Sequence, residues 1–221
     1  SGHTGKEEPL RETFLALKEE VEQQLLLING IQRVEDPTVL ADIQDENIDL
    51  IPQNMILEQR RLYLFNPFSS KIFIFNLQER KGETVLDSKI IRLDARTAIF
   101  GKNLYVLNSQ QGTITKYEDP LNSSGASSLW INEKSLKKPT EAKSMAVDGN
   151  IWVLTQDNTL QRYFGGSWQE DVRPLVFPLL KGATAIKVFP GLPYLYILDP
   201  SESRIIVLSR SGDLVKQYQV K

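Results

Sequence analysis

Cysteine is absent from the 221 residues, which rules out disulfides, thiolate metal sites and thiol nucleophiles. Histidine is almost absent. The single one, His3, follows Ser1-Gly2, a pair that reads as the remnant of a cleaved tag, so it belongs to no catalytic set. On that reading the natural N-terminus, with any targeting segment, lies elsewhere. Without these residue types, histidine-assisted serine and cysteine mechanisms fall away, as do zinc sites with nitrogen or sulfur ligands. Long hydrophobic runs are missing too. The longest, Tyr194 to Leu198, is far short of the roughly 20 residues a membrane span needs. No Gly-x-Gly-x-x-Gly or P-loop pattern offers a phosphate cradle. The acidic stretch Glu35 to Asp49 lacks the alternating ligands, glycine and closing glutamate of a calcium loop. No metal, cofactor or catalytic residue is therefore assigned.

What is present is unevenly charged. Residues 1–50 carry 4 basic and 12 acidic groups, and residues 51–221 carry 22 and 16, giving −8 and +6. Two regions with different jobs are implied, the first a solubilised helix and connector. With a pI near 5.6 and dispersed basic residues, nucleic-acid binding is not expected.

Pro9 to Ile28 has the pattern of an amphipathic helix. Glu7, Glu8 and Pro9 suit a first turn, and Asn29-Gly30 is a stop signal. Leu10, Phe14, Leu17, Val21, Leu25 and Ile28 share one face at period 3.6. A leucine-rich stripe must be buried somewhere. Packing on the flank of the main domain is the first expectation. Self-association through the helix at 9–28 is the second, although Gln24 interrupts the heptad seam. Residues 31–53 form an acidic connector, and a strand from it is expected to pair with Leu214–Val220.

From Arg61 onward one phrase recurs. Leu62-Tyr63-Leu64-Phe65-Asn66 is echoed by Leu104-Tyr105-Val106-Leu107-Asn108, Ile151-Trp152-Val153-Leu154-Thr155 and Leu195-Tyr196-Ile197-Leu198-Asp199, at spacings of 42, 47 and 44. Second apolar runs begin at Ile72, Ile114, Leu160 and Ile205, 42, 46 and 45 apart. Short strands at this period indicate an all-β propeller with at least four four-stranded antiparallel blades, since one such sheet cannot bury both faces alone. The expected organisation is a helix over 1–30, a connector over 31–53 and a propeller over 54–221, with blades at about 54–93, 97–133, 144–176 and 184–220. Tyr63, Tyr105, Trp152 and Tyr196 then lie at one height in the ring and are assigned to packing between blades.

The phrase resembles the blades of NHL-like and YVTN-like propellers over residues 54–220. Blade three departs from it, with Thr155 for Asn/Asp and Leu160 for Ile. The WD dipeptide and paired Gly-His of WD40 blades are absent. A helix followed by such a propeller is also similar to the extracytoplasmic part of bacterial membrane-bound signalling proteins that carry a cytoplasmic PP2C-type phosphatase. That resemblance implies a sensor or interaction domain, an extracytoplasmic location and a membrane tether outside this sequence.

Ligands of propellers are expected at the mouth of the central channel. In register, Asp94, Arg96, Glu141, Lys143 and Lys181 fall there, and three cations attract an anionic group. The alternative is that they are solvated and paired with Asp94 and Glu141. The functional expectation is a non-catalytic propeller that recognises a protein, a glycan or a small anionic ligand at this face. The competing expectation is a hydrolase or lyase using carboxylates or a divalent ion.

Overall fold

A computed structural model describes residues 7–39, 54–58, 60–66, 71–86, 95–118, 126–189 and 191–220. Helix α1 (Glu7–Ile28) is followed by strand β1 (Ile31–Val34). Four antiparallel sheets then follow in chain order, each a simple meander, in a four-bladed propeller arrangement. Blade one is β2 (Asn54–Glu58), β3 (Arg61–Asn66), β4 (Lys71–Asn76) and β5 (Lys81–Leu86). Blade two is β6 (Ala95–Phe100), β7 (Asn103–Asn108), β8 (Thr113–Glu118) and β9 (Ser127–Leu129). Blade three is β10 (Ala142–Val147), β11 (Ile151–Thr155), β12 (Leu160–Phe164) and β13 (Ser167–Val172). Blade four is β14 (Ala185–Lys187), β15 (Tyr194–Asp199), β16 (Arg204–Ser209) and β17 (Leu214–Val220).

The repeated phrase is the second strand of each blade, and the inner strands β2, β6, β10 and β14 line the axis. Tight turns join the first two strands where the chain supplies the chemistry for them. In blade three Gly149 takes φ +104°, and the Asn150 amide donates to Asp148 Oδ1 at 3.1 Å. The outermost strand of blade one begins at Lys81. Gly82 permits this. A Cβ at that position would lie 2.2 Å from Phe73 Cζ, so the phenyl ring lies directly over the bare backbone. Residues 87–94 lie outside the described residues.

Three cores lie between successive blades. Ile56, Tyr63 and Phe65 meet Leu104 and Val106; Tyr105 and Leu107 meet Met145 and Val153; Trp152 and Leu154 meet Ile186, Leu195 and Ile197. The fourth position of the phrase reports each seam. Phe65, Leu107 and Leu154 are 2%, 0% and 0% exposed, whereas Leu198 is 43% exposed. Blade four therefore leaves the face toward blade one partly uncovered among the described residues. Between the last and first inner strands, the Lys187 ammonium reaches across and donates to the Met55 carbonyl.

The connector strand forms as expected, with one addition. Strand β1 pairs with β17 in the register Ile31↔Gln217 to Val34↔Val220. The pairing is parallel and β1 is a fifth strand on a blade that already has four. Helix α1 ends through Gly30 at φ +60° and enters β1 directly. Its apolar stripe does not pack on the flank of the propeller. Phe14, Leu17 and Val21 are all at least half exposed, and the main contact of α1 is with β1. No described helix is long and apolar enough to cross a membrane.

Candidate functional site

The expected mouth residues lie at one end of the inner strands. Arg96 is the second residue of β6 and half-buried, opposite Leu107. Lys143 is the second residue of β10, at an irregularity between Ala142 and Ser144. Glu141 precedes that strand with φ +55°, is exposed, and its carbonyl accepts from the Gln156 amide at 3.0 Å. Lys181 is exposed on the segment leading into β14. Asp94 lies outside the described residues.

The organiser of this end is Asn158. Its Oδ1 accepts from Lys143 Nζ at 2.9 Å, and its Nδ2 donates to the Leu180 carbonyl at 3.1 Å and the Lys181 carbonyl at 3.4 Å. It therefore ties Lys143 of blade three to the segment that leads into blade four. The residue adopts φ +63°, a conformation asparagine tolerates better than most side chains. Sequence reasoning alone gives Asn158 no role. The available signal was an asparagine at the end of a tight turn after an apolar strand. Beside it, Thr155 takes over the turn role that Asn108 plays in blade two. The Thr159 amide donates to Thr155 Oγ1 at 3.1 Å, and the Gln110 and Gln111 amides donate to Asn108 Oδ1 at 3.1 Å. The Thr155 hydroxyl also donates to Asp157, which holds that carboxyl below its ordinary range.

Deeper along the axis lies a cavity of about 190 Å³, walled by all four inner strands. Its layers follow the strand register. Ile56, Ala98, Ala146 and Lys187 are the residues opposite Tyr63, Tyr105, Trp152 and Tyr196. Three of these tiers are apolar, two of them alanines whose small side chains leave space, and the fourth is a lysine. Among the described residues, Lys187 is the one charged group lining the cavity. Burial pulls its ammonium down to about 8, because the charged form has lost water in an apolar setting. Phe189 packs edge-on against Tyr196 at 5.2 Å between ring centroids, beside this lysine. Of the four phrase aromatics, Tyr63, Tyr105 and Trp152 are buried between blades, and Tyr196 is half-buried.

Many described carboxylates are engaged in fixed contacts. Asp199 is fully buried against Arg204, Asp148 pairs with Arg210 across blades three and four, and Asp171 accepts from Trp168 Nε1 at 2.9 Å. Among the described residues, no group of three or more His, Cys, Asp or Glu is placed to hold a metal.

No family model matches the chain, and no curated protein matches it in sequence. Solved structures do resemble it. Myxococcus xanthus glutaminyl cyclase superposes with TM-score 0.57 at 11% identity, over 78% of this chain and 72% of that one. The nidogen/laminin complex gives TM-score 0.49 at 11% identity, over 77% and 65%. A streptogramin B lyase gives 0.46 at 11% identity, over 76% and 54%. At such low identity the first of these likenesses shows the fold alone, and that fold is a β-propeller.

Proposed function

We propose that this chain is a binding propeller, the sensing or interaction part of a larger membrane-bound signalling protein, with an extracytoplasmic location and an NHL-like relationship among its blades. The observation that carries the reading is the character of the axis. A cavity walled by apolar side chains from every blade, with a lysine as the one charged lining group among the described residues, is a surface for recognition. Lys143, held by Asn158, and Lys181 add positive charge at the strand ends and suit an anionic group on a protein, glycan or small molecule. The helix contributes the second half of the reading. Its exposed stripe, at near-heptad spacing, suits pairing with the same helix of another copy.

The test is a thermal-shift titration with inorganic phosphate, a sulfated disaccharide and an acidic hexapeptide. The binding reading expects at least one to raise Tm by mass action. It also expects that shift to shrink in the double variant Lys143→Met, Lys181→Met. Equal shifts in wild type and double variant, or chemical turnover of a bound probe, would overturn it.

A further inference from the structure

The repeat is broken at one tier of the channel. Ile56, Ala98 and Ala146 are apolar at positions where blade four carries Lys187. An apolar residue there would fit the pattern and avoid the desolvation cost of an ammonium. Among the described residues no carboxylate lines the cavity, so the lysine closes no charge pair there. Its described hydrogen bond is to the Met55 carbonyl, which uses one of the three ammonium donors and leaves two. The site thus combines an apolar chamber with a half-buried cation that lacks a counter-anion among the described lining residues.

We propose that the central cavity binds a small monocarboxylate with an apolar body, the carboxylate on Lys187 and the body among Ile56, Ala98, Ala146 and Phe189. This rests on the binding reading above and names a ligand class for the channel interior, separate from the mouth. The carboxylate supplies the missing counter-charge and accepts the two remaining N–H donors, a pairing worth more in an apolar chamber than in water. Size limits the body. A dry cavity of about 150 Å³ accommodates benzene, so about 190 Å³ suits a ring or a chain of about six carbons. The described lining residues include no second charged group to receive a dicarboxylate or a phosphate ester.

The experiment is calorimetric titration of the full chain at pH 7 with benzoate, hexanoate and benzamide. Benzoate or hexanoate binds at least about tenfold more tightly than benzamide, which has the same shape without the charge. Lys187→Met loses carboxylate binding about tenfold or more while melting no lower than wild type, because methionine suits the apolar tier. Equal affinity for benzoate and benzamide, unchanged benzoate binding in Lys187→Met, or no heat with either carboxylate overturns the proposal. The benzamide comparison is made on wild type and holds even if the variant fails to fold. Benzoate binding that survives in Lys187→Met and is lost in Lys143→Met, Lys181→Met places the anion at the mouth and overturns the channel assignment alone.

Discussion

Arg204 and Asp199 form an ion pair sealed from solvent: Arg204 Nη2 and Nε donate to Asp199 Oδ2 at 2.9 and 3.0 Å, with both side chains at most 1% exposed. Two further donors are also used. Nη1 reaches Gln217 Oε1 at 2.6 Å, and Nη2 reaches the Pro178 carbonyl at 2.6 Å. Gln217 Nε2 in turn donates to the Asn29 carbonyl at 2.9 Å and the Phe177 carbonyl at 3.0 Å. One network thus joins the end of α1, three strands of blade four and the segment leading into it. Removing one member strands a buried charge. Arg204→Met is expected to lower stability by about 3–5 kcal/mol, read by urea denaturation. Replacing both charges, Arg204→Met with Asp199→Leu, is expected to cost less than that single change.

The ring of Phe73 over Gly82 makes a second prediction. Gly82→Ala forces a methyl into the ring, and the expected cost is about 1–3 kcal/mol. Phe73→Leu in the same chain should recover part of that loss, because the shorter side chain vacates the space. A double-mutant cycle on thermal melts measures the coupling.

Lys187 sets a pH dependence of definite sign. Its folded value is near 8 against an ordinary 10.5, so between those values the unfolded chain holds the extra proton. Stability from this group therefore rises with pH across the window from about 8 to 10.5, and below 8 the full cost of the buried ammonium is present. The expected gain is about 1–3 kcal/mol after allowance for partial solvent access. It is checked as the difference between wild type and Lys187→Met in urea curves at pH 7 and pH 10. A flat difference would remove the assignment of a perturbed lysine.

The exposed stripe of α1 gives a prediction about assembly. Sedimentation velocity over a range of concentrations should show a dimer that Val21→Glu abolishes, since a charge in the seam is desolvated only at a cost of several kcal/mol. The propeller should melt unchanged in that variant, because Val21 is half exposed and touches none of the blade cores.

The blades were readable because each core sits on a pattern repeated at nearly constant spacing, and the turns carry glycine or a short polar side chain where the backbone needs them. The closing strand was readable from the acidic connector and from the last strand's need for a neighbour. The fate of the helix stripe was not, since periodicity shows that a face is apolar and not what covers it. Lys187 was hidden for a different reason. Ala185-Ile186-Lys187-Val188 reads as an ordinary half-buried strand, and only the pairing of Lys187 with Tyr196 puts it in the tier of Ile56, Ala98 and Ala146. The spacings of those four residues, 42, 48 and 41, were there to be compared. The role of Asn158 depends on segments more than 20 residues apart meeting at one turn, which no local pattern encodes.

The parallel ladder between β1 and β17 has a mechanical meaning. Tension applied along α1 enters the propeller through Gly30, whose carbonyl accepts from the Gln217 amide at 2.7 Å, and loads the ladder lengthwise so that its bonds resist together. The strain is then handed to the buried arginine cluster of blade four, the blade that also supplies the channel lysine. A tug on the helix and an occupant on the axis therefore act on the same sheet.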